Sequence, residues 1–147
     1  MAGLADRLRE DMNRSRKAQH KALTLLLGTV LSDIENQRIL LKRDVTDDDV
    51  VEVMRKGIKR RRESVEAFDK GARPELAAQE RGEISALEGY LPASASDDDV
   101  RSAIRAAIAG GAANIGAVMG KVRPQFKGRA EGSTISRMAR EELGLSA

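Results

Sequence analysis

TDDDVVEVMRKGIKRRRESVEAFDKGARPELAAQERGEISALEGYLP, residues 46–92, is written as two helices and a turn. The Thr46 hydroxyl can accept an orphan backbone N–H, and Asp47, Asp48 and Asp49 follow it where the positive end of a helix dipole favours carboxylates. The pattern predicts a helix from Thr46 to about Lys70, closed at Gly71, a residue able to take the left-handed conformation. A second arm starts near Pro74, because proline is tolerated in a first helical turn. Leu76, Ile84, Leu87 and Tyr90 supply its apolar contacts until Leu91 and Pro92 stop it. The two arms make a helical hairpin.

Upstream, Leu4, Leu8 and Met12 recur every four residues, which predicts a surface helix over Ala2 to Lys17. From about His20 to Lys42 apolar residues occupy several faces, among them Leu23, Leu26, Leu27, Val30, Leu31, Ile34 and Leu41. That helix is expected to be the central one. Downstream, PASAS (residues 92–96) is small, uncharged and reads as a linker. Ser96 with Asp97, Asp98 and Asp99 repeats the Thr46 device, but the residues after Val50 and Val100 do not match, so these are two independent caps. Val100, Ile104 and Ile108 mark a helix ended by Gly110 and Gly111, and shorter ones follow near Asn114 to Phe126 and Ser133 to Leu143. The expectation is an all-α protein. Residues 1–92 form an N-terminal helical domain with a long helical hairpin, and residues 93–147 form a small C-terminal three-helix bundle.

Composition fits this reading: apolar residues make up 41% of the 147 but aromatics only 2%, so the core is built from Leu, Ile, Val, Ala and Met. The chain has no cysteine, which excludes disulfides, thiolate metal sites and cysteine nucleophiles. The apolar run Leu23 to Leu31 is broken by Thr24, Gly28 and Thr29 and falls short of the roughly 20 residues a membrane span needs. Acidic and basic residues alternate from Met1 to Glu10, where a signal peptide would be apolar. A cytoplasmic protein with no membrane partner is expected. Its net charge of +3 permits an anionic partner without demanding one, so the distribution of charge decides.

The single histidine, His20, has no serine, acid or second histidine spaced to make a relay or metal site, and reads as a satisfied or solvated surface residue. The aspartate triplets are explained as caps, and Glu63, Glu66, Glu80 and Glu83 as solvated helix charges. No cofactor, metal site or catalytic set is expected. Gly116 and Gly120 are expected to permit close packing within a helix, and Gly128 and Gly132 to frame a turn. Lys56, Lys59, Arg60, Arg61 and Arg62 form a basic run whose residues point in different directions, with Lys59–Glu63 and Arg62–Glu66 spaced to pair. Lys56, Lys59, Arg60 and Arg61 are kept as a secondary basic patch. More pointed is the stretch holding Lys121, Arg123, Lys127, Gly128 and Arg129, four cations with no acid among them. Side chains and free backbone N–H groups there can meet phosphates. With no aromatic stacking platform, backbone and shape recognition of folded RNA is the expected mode.

NIGAVMGKVRPQFKGRAEG, Asn114 to Gly132, resembles the signature of the bacterial YqeY-like family. Followed by STISRMAREEL, it is also similar to the C-terminal tail of the B subunit of the tRNA-dependent amidotransferase, the likeness joined in the GatB/YqeY domain. Gly116, Val118, Met119, Lys121, Lys127, Gly128, Arg129 and Ala130 carry the match, and the hairpin with its closing Tyr-Leu-Pro extends it over nearly the whole chain. Glu131 stands where an aspartate is usual and Gly89 where an acid is common. The resemblance implies an N-terminal and a C-terminal helical domain, and a context of transamidation of misacylated tRNA in which the related tail helps to engage tRNA. By that similarity the activity would be a carbon-nitrogen ligase with glutamine as amido-N-donor. The residues themselves offer neither an activated nucleophile to free ammonia nor an ATP and magnesium site, so the activity is not expected to be intrinsic. Three functions follow: an accessory module binding tRNA or a tRNA-dependent enzyme complex, a protein-protein adaptor acting through the hairpin, or a ligase subunit active only in complex. The oligomeric state is left open.

Overall fold

The computed structural model describes residues 3–145, and every element in them is helical. In chain order these are α1 (Leu4–Lys17), α2 (Lys21–Leu41), α3 (Asp47–Lys70), α4 (Pro74–Glu88), α5 (Asp97–Ala109), α6 (Ile115–Val122), a 3-10 turn (Arg123–Phe126) and α7 (Gly132–Glu142). Ala2, where the first helix was expected to begin, lies outside the described residues. The chain forms two compact units, one ending at Leu91 and the other beginning at Pro92.

In the first unit, α1 packs on α2, and α3 packs on α4 as an antiparallel-arm hairpin. Its core is Leu8, Leu26, Leu27, Val30, Ile34, Val50, Met54, Ile58 and Leu87. Burying each large aliphatic side chain stabilises by about 1.5–3 kcal/mol, so these residues hold the unit together. The α1–α2 corner is tied by polar groups: the buried Ser15 hydroxyl lies 2.7 Å from that of Thr24, and the His20 N–H donates to the Ser15 carbonyl at 2.9 Å. The helix expected to be central, α2, supplies four of the nine core residues, more than any other helix, while Leu25, Ile39 and Leu40 are 74, 59 and 76% exposed, so one side of it is bare.

The two acid-rich helix starts differ. Thr46 and Asp49 form a reciprocal capping box, in which the Asp49 N–H donates to the Thr46 hydroxyl and the Asp49 carboxylate accepts from the Thr46 N–H at 2.9 Å. Asp49 is buried and is also held by Arg43 at 2.7 Å. At Ser96 the hydroxyl accepts from the Asp99 N–H at 3.1 Å, and Asp99 itself is exposed. Gly71 does close α3, but at φ −85° it is not left-handed; the next residue, Ala72, takes φ +55° instead.

The second unit packs α5, α6 and α7 around Val100, Ile104, Val118, Val122, Phe126, Ile135 and Met138. Arg101 and Arg105 of α5 clamp Glu141 and Glu142 at the end of α7, with Arg105 Nε 3.0 Å from Glu142 Oε2. The Arg105 hydrogen bond, seconded by Arg101, holds the Glu142 carboxyl below the ordinary carboxylate range. Residues 92–96 have no regular structure, but Ala95 packs against this core and its N–H donates to the Arg129 carbonyl at 2.9 Å.

Candidate nucleic-acid interface

The basic turn between α6 and α7 is built on Phe126. Its ring is buried, and its carbonyl accepts the N–H groups of Arg129 at 2.8 Å and Ala130 at 3.0 Å. Gly128 sits at φ +75°, the left-handed region where a Cβ is strained, and is buried, so the turn requires glycine there. Those constraints leave Lys121, Arg123, Lys127 and Arg129 exposed around a fixed backbone. Arg129 reaches over the Phe126 ring, its guanidinium carbon 5.8 Å from the centroid. The Lys121 Nζ lies 3.9 Å from where a Cβ on Gly110 would stand, beside the C-terminal end of α5 where a cation suits the helix dipole.

Arg123 occupies a place that composition did not reveal. Its guanidinium rests against Gly132, the first residue of α7, where a Cβ would come within 3.4 Å of it. No side chain caps this helix: Glu131, at the N-cap position, instead accepts the Ser133 hydroxyl at 3.4 Å. An arginine thus lies next to an uncapped helix start, a combination of charge and N–H groups that suits a phosphate oxygen. Glu131 is the acid on this surface and opposes an anion. The sequence reading missed both Phe126 as anchor and Gly132 as the seat of Arg123. A glycine nine residues after the first arginine of the turn was the available signal.

Gly116 and Gly120 do not serve close packing as expected. Both are exposed; a Cβ on Gly120 would meet nothing within 4 Å, and one on Gly116 only the Asn114 side chain at 3.4 Å. One turn apart on α6, they give it a solvent face without side chains, next to Lys121.

Half of the secondary basic patch is consumed by the fold. Arg60 pairs with Asp33 of α2 at 3.4 Å, and Arg61 with Glu83 of α4 at 3.3 Å. Arg62 pairs with Glu88 across the hairpin at 2.9 Å rather than with Glu66, which takes Lys70. Lys59 forms no pair with Glu63 among the described residues. Lys56 and Lys59 remain exposed.

Groups that could do chemistry are likewise occupied. His20 Nδ1 accepts the Leu23 N–H at 3.2 Å and caps α2. The Tyr90 hydroxyl donates to Asp11 at 2.5 Å beneath the Arg7 guanidinium, and burial, followed by that hydrogen bond, pushes its pKa up to about 12. A hollow of about 630 Å³ at the α1–α2 corner is lined by Arg16, Gln19, Lys21, Thr24 and Leu25, and its Thr24 hydroxyl is already committed to the His20 carbonyl at 2.8 Å. Among the described residues no three His, Asp or Glu side chains are grouped to hold a metal ion. No helix of these residues is long and apolar enough to cross a membrane.

Comparison with known proteins places these features in a family. The chain is 36% identical over 90 residues to an uncharacterized protein of Schizosaccharomyces pombe, a stretch covering 61% of this chain and 73% of that one. It is 26% identical over 145 residues to the altered inheritance of mitochondria protein 41 of Pyrenophora tritici-repentis, covering 94% of this chain and 80% of the relative. The family model described as Yqey-like protein matches residues 5–143, spanning both units, the hairpin and the basic turn, and the chain therefore belongs to the Yqey-like proteins.

Proposed function

We propose that this protein is a non-catalytic module that binds tRNA, alone or within a tRNA-dependent enzyme complex, through the turn between α6 and α7. The observation that carries the reading is Arg123 lying against Gly132 at the uncapped start of α7, with Lys121, Lys127 and Arg129 exposed on the same short segment. Cations and backbone N–H groups of this kind contact phosphates, which position a nucleic acid without reading its sequence. Phe126, the only aromatic in the turn, is buried and unable to stack on bases, which favours the backbone of a folded RNA over an unstacked strand. The exposed Gly116 and Gly120 face beside Lys121 would let a sugar-phosphate chain approach the helix closely.

Carbon-nitrogen ligase activity is attached to this reading only as a property of a surrounding complex, because kinship of fold does not transfer a catalytic site. The adaptor reading rests on the hairpin arms, where Lys56 and Lys59 are exposed while Arg61 and Arg62 pair across to Glu83 and Glu88. For the address we infer the cytoplasm from a charge-rich chain without cysteine; organelle fractionation, prompted by the mitochondrial relative, is its check.

The test is binding of the purified protein to a bulk tRNA pool at low salt, beside a variant with Lys121, Arg123, Lys127 and Arg129 all changed to Ala. Binding by the wild type and its loss in the variant are expected. No binding by either, together with a protein partner that survives nuclease treatment in a pull-down, would establish the adaptor instead.

A further inference from the structure

The bare side of α2 has a pattern of its own. Leu25, Thr29, Ser32, Asn36 and Ile39 are spaced four, three, four and three residues apart, the alternation that keeps one seam of a helix turned toward a partner helix, and Leu40 widens its far end. All six are exposed and none is charged. From Leu25 to Leu40 the seam extends about 22 Å at 1.5 Å per residue. The buried side of the same helix, Leu26, Leu27, Val30 and Ile34, is already satisfied by the unit's core, so the seam takes no part in folding.

The seam reads nearly the same in both directions: a leucine at one end, small polar residues in the middle, Ile39 and Leu40 at the other end. Ser32 is its midpoint. We infer that α2 pairs with α2 of a second copy of this chain, antiparallel, about a two-fold axis passing at Ser32. In that pairing Leu25 of one copy falls against Ile39 and Leu40 of the other, and small Ser32 side chains at the axis allow close approach. The two helix dipoles oppose one another. A parallel pair would instead align the two dipoles and set Leu25 against Leu25 rather than against Ile39 and Leu40. Closed two-fold pairing also matches the self-complementary pattern, since an isologous interface uses the same patch twice. The neighbouring charges fit: Asp33, at the border of the seam, is neutralised by Arg60 of its own chain. A lipid surface or a nucleic acid is a poor occupant, because the middle of the seam is polar and the seam carries no cation. One helix face is a small footprint, so the dimer is weak and concentration-dependent. This inference does not depend on RNA binding.

Sedimentation of the full chain across the micromolar range tests it, with a Leu25→Glu, Leu40→Glu double variant and Ser32→Cys beside it. The wild type is expected to move from its 16.0 kDa monomer mass toward twice that as concentration rises, while the double variant stays monomeric with an unchanged circular dichroism spectrum. Because the chain has no cysteine, Ser32→Cys is expected to oxidise to a disulfide-linked dimer much faster than Ala78→Cys on the exposed side of α4. A mixture of Leu25→Cys and Ile39→Cys chains should cross-link mainly as the mixed dimer. A wild type that is monomeric throughout, a dimer that the double variant retains, or cross-linking no faster at Ser32 than at Ala78 overturns the inference. Cross-linking of Leu25→Cys only to itself overturns the antiparallel register.

Discussion

Asp49 accepts from the Thr46 N–H, the Thr46 hydroxyl and Arg43 while buried at the start of α3. Removing it takes away a capping box and leaves Arg43 without its carboxylate, so Asp49→Ala is expected to cost about 2 kcal/mol, read as a lower urea midpoint with an unchanged slope. Asp99→Ala, on the open Ser96 cap, should cost much less. Glu142 makes a prediction about pH. Its carboxyl is held low by Arg105 and then Arg101 in the folded chain, so the stabilisation is complete above the ordinary carboxylate pKa of about 4.3 and is lost as pH falls through the lowered value. Glu142→Gln should therefore be less stable than wild type near neutral pH and lose less on acidification, as thermal melts over an acid series would reveal. Thr46 and Ser96 were legible in the sequence because a hydroxyl followed by acids has one local use. What the sequence did not distinguish is that Asp49 folds back and Asp99 does not, a difference set by Arg43. The positive φ angles of Gln19, Lys42 and Ala72 were also hidden, since their side chains carry no preference that announces them.

At the scale of elements, α6 presents a conflict between stability and use. Alanine in place of Gly116 or Gly120 meets little or nothing and restrains the unfolded chain, so each substitution should stabilise the second unit by about 0.5–1 kcal/mol. If the bare face admits an RNA backbone, Gly116→Ala with Gly120→Ala should bind tRNA several-fold more weakly while melting at a higher temperature. Equal or tighter binding by the more stable variant would remove α6 from the interface. Gly128→Ala has the opposite character: at φ +75° the new Cβ costs about 1–2 kcal/mol, and the turn that spaces the cations shifts with it. The helices were legible from apolar spacing and caps to within a few residues at each end. The role of the α6 glycines was not, because a glycine in a helix says that a side chain is unwanted without saying whether a neighbouring helix or a ligand excludes it. The same ambiguity affected α2, where an apolar residue at Leu25 or Leu40 has no sign in the sequence to tell core from surface.

For the whole molecule, family membership and helical composition were legible together, since the motifs that carry the resemblance lie in both the hairpin and the basic turn. The function has to be argued from where the fold leaves cations exposed. In the hairpin, Arg60, Arg61 and Arg62 are absorbed by Asp33, Glu83 and Glu88, whereas in the second unit Glu141 and Glu142, at the far end of α7 from the basic turn, pair with Arg101 and Arg105. That division leaves the second unit with an exposed cationic turn and Glu131 as its local counterweight. The most direct measurement is the dependence of tRNA affinity on salt, taken as the slope of log K against log salt concentration for the wild type, Arg123→Ala and the four-fold alanine variant. Counterion release gives a slope of about −0.9 for each phosphate neutralised on a duplex. The account predicts a steep wild-type slope, a decrease of about one phosphate's worth for Arg123→Ala, and a nearly flat line for the four-fold variant. A four-fold variant that keeps the wild-type affinity and slope would place the RNA contact elsewhere and contradict the account.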